Sequence, residues 1–90
     1  MITRQTTVIN ASGLHARPAS DFVLKAKTFS SKVTIKNLNT GGPAVNAKSI
    51  LRLLAESMTQ GTRVEIATEG EDEKPAADAL VALIDSGFGE

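Results

Sequence analysis

Apolar residues along the 90 positions switch repeatedly between two spacings, and each switch marks an element. Ile2, Thr6, Thr7, Val8 and Ile9 make a β-rich run over residues 2 to about 9, which Asn10 to Gly13 end. From Ala16 the spacing lengthens. Ala19, Phe22, Val23, Ala26 and Phe29 fall on one face of a helix that closes near Ser30 and Ser31. Lys32-Val33-Thr34-Ile35-Lys36 then alternates strictly, as a strand with one wet face does. Asn37 to Pro43 turns around a Gly-Gly pair, and a short strand around Ala44 to Ala47 closes a hairpin. A second helix spans Ser49 to about Ser57, with Asn46 or Ser49 as its cap and Gly61 as its stop. Arg63 to Thr68 alternates as a fourth strand, and the acidic turn Glu69 to Glu73 precedes a helix N-terminus. From Pro75 onward Ala76, Ala77, Leu80, Leu83 and Ile84 form a third helical face, which Gly87 and Gly89 end.

The order is β-α-β-β-α-β-α. Lys32, Thr34, Lys36, Arg63 and Glu65 occupy one face of their strands, while Val33, Ile35, Val64 and Ile66 occupy the other. A sheet with one polar and one apolar face needs all its helices on a single side. The pattern therefore predicts an α+β fold: a two-layer open-faced sandwich with three helices on one face of the sheet. In the second helix, Ile50, Leu53 and Leu54 form the stripe that suits the core. Leu51 lies about 100° round from Ile50 and is expected to be at least partly exposed.

Composition narrows the function classes. Residues 1–90 make one small domain with a thin core. Net charge is +0, and Phe supplies all three aromatics, so neither a basic field nor stacking rings point to nucleic acid. Cys is absent, which excludes a disulfide frame and suits a cytoplasmic protein. One His among scattered carboxylates makes no transition-metal cluster, and nothing calls for a cofactor. Met1 to Gln5 lacks the apolar core of a signal peptide, and no apolar run reaches the roughly 18 residues of a membrane span, so no membrane insertion is expected.

Chemistry concentrates in Ser12-Gly13-Leu14-His15-Ala16-Arg17-Pro18-Ala19-Ser20, which holds the sole His. Ser12 and Gly13 are turn residues, and Pro18 is tolerated in a first helical turn, where its missing N–H costs nothing. His15 is thus expected where a loop becomes a helix, among unpaired N–H groups and the positive end of the helix dipole. An imidazole there can attack phosphorus, and Arg17 can fork onto the oxygens. The same residues also suit an ordinary surface His or a helix cap. Their order decides between the two. Gly13 to Ser20 resembles the active-site signature of HPr, the histidine-containing phosphocarrier of the bacterial phosphotransferase system. The likeness returns at Val45-Asn46-Ala47-Lys48-Ser49-Ile50-Leu51 and at Gly70-Glu71-Asp72-Glu73, in the family's order.

The resemblance implies a four-stranded antiparallel sheet with three helices, as the pattern does. It also implies a carrier rather than an enzyme: His15 accepts a phosphoryl group on Nδ1 from enzyme I and passes it to the enzyme IIA domains of sugar permeases. Arg17 matches the family's arginine and would act electrostatically, with Ser12 and Ala16 beside it as phosphate-binding positions. Ser12 and Ser20 serve equally well as caps. Lys48-Ser49-Ile50 matches the place where Gram-positive relatives carry a regulatory serine modified by HPr kinase and read by a catabolite-control transcription factor. Ser49 also reads as a plain N-cap. Such a phosphate would add charge beside His15. The family docks its partners through the second helix, which implies Ile50, Leu51 and Leu54, with Ser20, as the partner face. Arg52 and the long turn Asn37 to Pro43 depart from the family pattern. The competing readings are a regulatory HPr-like interaction module without a carrier role in sugar uptake, a nucleic-acid module and a small enzyme. The lone His-Arg pair and thin wet face speak against the last two.

Overall fold

A computed structural model describes residues 1–90. Its elements are β1 (Ile2–Thr7), α1 (Ala16–Lys27), β2 (Lys32–Asn37), β3 (Val45–Asn46), α2 (Ile50–Ala55), β4 (Arg63–Glu69) and α3 (Glu73–Asp85), followed by a 3-10 turn at Gly87–Gly89. The sheet order is β1-β4-β2-β3, antiparallel throughout. β4 lies between β1 and β2, pairing Ile66 with Arg4 on one side and with Ile35 on the other. Alternation holds as expected: Val33, Ile35, Val64 and Ile66 are buried, whereas Lys32 and Arg63 are exposed.

The core is a cluster of 15 buried residues that joins the inner face of the sheet to the helices. α1 supplies Ala19, Phe22, Val23 and Ala26, α2 supplies Leu53, and α3 supplies Leu80 and Ile84. Lys25 and Lys27 lie in the last turn of α1, where cations complement the dipole. β1 contributes little apolar surface. Its inward side chains meet α3 through polar contacts: the Thr6 hydroxyl donates to Asp85, and Arg4 lies 3.7 Å from Asp78.

The helix ends depart from the periodic pattern, each for a tertiary reason. α1 stops at Lys27, so Phe29 lies beyond it. The Asp72 carboxylate takes the N–H groups of Ser30 and Ser31, each at 2.9 Å, and the Ser31 hydroxyl besides. Those donors are then lost to the helix. α2 is only six residues long and ends at Ala55, because Ser57 turns left-handed (φ +50°) and drops Met58 into the core. Ile50 and Leu54 therefore belong to no core stripe. Each is 37% exposed, and Leu53 alone of that helix is buried. α3 starts at Glu73, two residues before Pro75, which falls within the first turn where proline is tolerated.

The three donors hold Asp72 well below its ordinary value of 3.8, at about 2, with the Ser31 hydroxyl the largest cause. A depressed carboxyl contributes stability above the unfolded value, and that contribution disappears as pH falls through the folded value. Asp72→Asn is accordingly expected to lower the urea midpoint at pH 6. The gap from the native chain should close between pH 4 and pH 2. A gap that persists at pH 2 would refute the carboxylate's role.

Candidate functional site

The loop from Val8 to Leu14 is held by a second loop, Met58 to Thr62. Val8 donates to the Thr62 carbonyl (2.9 Å), Gly61 to that of Val8 (2.7 Å), and Leu14 to that of Met58 (2.7 Å). Gly13, at φ +67°, passes so close that a Cβ would lie 2.6 Å from the Met58 oxygen. Only glycine meets both demands. Leu14 is fully buried, worth about 1.5–3 kcal/mol, and pins the end of the loop to the core. Asn10 locks the turn from within by donating to the Gly13 carbonyl at 2.8 Å.

This clamp delivers His15 to the N-cap of α1, in extended conformation (φ −131°, ψ 163°). The residue is half-buried, and its imidazole makes no capping hydrogen bond. Ala16 follows at φ +50°, a left-handed setting that a non-glycine residue holds only under constraint. Pro18 has no N–H, and those of Ala16 and Arg17 find no backbone acceptor. Two donors at the positive end of a 12-residue helix are thus free beside the ring. Arg17 is exposed and pairs with no carboxylate. Ser12 is exposed as well. The local geometry is that of a cationic, solvent-open ledge: an imidazole, a free guanidinium and unpaired amides within one turn. Nothing encloses a small substrate.

Ser49 is the N-cap of α2, and its hydroxyl accepts from Arg52 N–H at 3.4 Å. Asn46, the alternative cap, instead accepts from Lys48 N–H at 2.9 Å. Ile50, which follows Ser49, shares a groove with Ser20 of α1. The neighbouring Lys48 donates to the Phe29 carbonyl (2.7 Å), just past the C-terminal end of α1, a helix about 18 Å long with His15 at its other end. A shallow groove between α1 and α2 is lined by Ser20, Val23, Leu24, Lys27 and Ile50. With Leu51 at 79% exposure and Leu54 next to it, these residues form an apolar patch along the flank of α1. Leu24, 60% exposed, is a member the periodic reading omitted. The signal was present, because Leu24 is the apolar residue of α1 that falls off the buried stripe. Glu90, whose carboxylate reaches the site loop, carried no such signal.

Comparison with known proteins decides the family. The family model described as "PTS HPr component phosphorylation site" matches residues 2–86. The chain belongs to the HPr family. It is 44% identical to the phosphocarrier protein HPr of Haemophilus influenzae over 93% of this chain and 95% of that one. It is 39% identical to the phosphocarrier protein NPr of Proteus mirabilis over 97% and 94%. The crystal structure of HPr-C-His from Thermoanaerobacter tengcongensis superposes with a TM-score of 0.93, at 43% identity, over 100% of this chain and 98% of that one. The sandwich with its order of elements is thus the HPr fold. No helix of this HPr-family chain is long and apolar enough to cross a membrane.

Because Gly13 sets the ledge, Gly13→Ala is expected to cost about 1–3 kcal/mol from its positive φ and the Met58 collision. Urea denaturation measures it. Gly41, also at positive φ but with open space around it, is the control and should cost less.

Proposed function

We propose that this chain is the phosphocarrier of a phosphotransferase system, with His15 as the nucleophile. The observation that carries the reading is an imidazole at the N-cap of α1 with free amides and an unpaired guanidinium around it, in a chain of the HPr family. Residues 1–90 act as one domain. Enzyme I is the donor, and enzyme IIA domains of sugar permeases are the acceptors. The attacking species is the neutral imidazole, whose unprotonated ring nitrogen carries the lone pair. In each transfer a ring nitrogen forms its bond to phosphorus as the donor's bond to phosphorus breaks, and the donor leaves with that electron pair. The other ring nitrogen keeps its proton. Arg17 and the Ala16 and Arg17 amides then face a group of charge near −2 and stabilise it. The chain offers the phosphoryl group a seat and no catalytic pocket, which makes it the substrate of enzyme I rather than an enzyme. A protein of this kind works in the cytoplasm.

Partners dock on the patch of Ser20, Ile50, Leu51 and Leu54, extended by Leu24. Phosphorylation of Ser49 by an HPr kinase would regulate the protein at this patch. The added charge would stand at the N-cap of α2, next to Ile50 of the patch, and so would act on docking. A phosphate at the α2 N-terminus would leave the helix intact. A catabolite-control transcription factor would be a further reader of that state. The alternative is a regulatory module without a carrier role in sugar uptake. The presence of His15 in its motif weighs against that reading.

Phosphoenolpyruvate, enzyme I and the purified chain test the assignment. His15→Ala should accept no acid-labile phosphoryl group, and label reaching that variant would sink the proposal. Arg17→Ala should slow transfer about tenfold, the worth of one charge-assisted hydrogen bond. Leu51→Glu should raise the concentration of chain needed for half-maximal transfer while leaving the urea midpoint within about 0.5 kcal/mol of native, because the residue is exposed.

A further inference from the structure

Gly87 to Glu90 lie outside the span matched to the family, yet they fold back onto the site loop. The turn is built by Phe88, which sits at φ +55° and packs on the core, and by the Glu90 N–H donating to Gly87 at 3.0 Å. It presents the Glu90 side chain to the loop that precedes His15. One carboxylate oxygen accepts from Ser12 N–H at 3.0 Å and from the Asn10 amide at 3.3 Å. These donors, Ser12 N–H foremost, hold the Glu90 carboxyl below the usual range, so it is ionised at neutral pH. Glu90 also lines one groove with Arg17, Pro18, Asp21 and Phe88. Arg17 forms no ion pair with Glu90 or Asp21 across that groove.

We infer that Glu90 is a positioning residue that sets how tightly His15 holds its phosphoryl group. Clasped to the loop, its negative charge faces the groove that carries the guanidinium and opposes a dianion arriving there. The clasp thereby weakens retention and favours onward transfer. This inference rests on the carrier reading. The interaction runs between exposed charges and is modest and sensitive to salt.

Glu90→Gln keeps an oxygen for the Ser12 and Asn10 donors while removing the charge. The test is phosphoryl exchange between native and variant chains through catalytic enzyme I, in which each P–N bond formed on one chain replaces one broken on the other. At low salt the equilibrium is expected to favour the phosphorylated Glu90→Gln chain about threefold, fading toward unity near 0.5 M salt. Glu90→Asp should restore the native balance, and the unmodified Gln variant should still unfold cooperatively, with a urea midpoint lowered only by the small contribution of an exposed, depressed carboxyl. An equilibrium of unity at low salt overturns the inference, as does an equal shift in the Asp variant. If neither native nor variant chain accepts phosphoryl groups, the carrier reading itself fails. An exchange equilibrium of unity between two active chains leaves that reading standing and removes only this one.

Discussion

The backbone apposition of Gly13 and Leu14 against Met58 and Thr59 is the constraint on which the rest depends. Two irregular loops, far apart in sequence, share hydrogen bonds at Val8–Thr62, Gly61–Val8 and Leu14–Met58. Loops rarely hold one geometry so closely unless their buried backbone groups are paired. Here the carbonyl of Met58 is the acceptor, and its side chain fills the core beneath. Position of the ring and packing of the core are therefore one problem. Any residue larger than glycine at position 13 must push the two loops apart. The short α2 follows from the same constraint, since Met58 has to leave the helical path to offer both its side chain inward and its carbonyl to Leu14.

Fold class was legible because β2 and β4 have one dry face each, and an alternation such as Val33-Thr34-Ile35 leaves no choice of side. The ledge was legible from local order alone: a turn, a His, then a proline within a first helical turn. Helix ends were not. Asp72 ends α1 through Ser30, 42 positions away, and no spacing within α1 announces it. The stripe Ile50-Leu53-Leu54 misled because periodicity reports which side chains share a face, not how much of that face is covered. A six-residue helix at the margin of the core buries one of them. Glu90 reaches Ser12 through a turn of Gly87, Phe88 and Gly89, whose positive φ values have no periodic signature at all.

The contacts of α1 divide its length into two jobs. Its N-terminal turn gathers charge, with free amides and Arg17 in water. Its outer flank, with Leu24 and the facing Ile50, gathers apolar surface. An apolar patch contributes affinity that is insensitive to the protonation or phosphorylation of a ring at the helix end, while a charged ledge contributes little to docking in salt. Recognition and chemistry can then be adjusted separately. A carrier needs that separation, because donor and acceptor must both recognise it while differing in which way the phosphoryl group moves.

The exposure of the ledge follows from the same requirement. Enclosing His15 would strengthen each hydrogen bond to a bound phosphoryl group, since a low dielectric raises the worth of Arg17 and the amides. It would equally deepen the well from which the group must leave. On the proposed reading, amides in water and a carboxylate at Ser12 would stabilise a modified ring enough to form and not enough to trap it. Left-handed Ala16 is consistent with this balance. The clamp at Leu14 and the stripe from Ala19 onward fix the chain on both sides, and the residue between them carries the mismatch. Rigidity is thus spent on where the ring stands, and openness on what it holds.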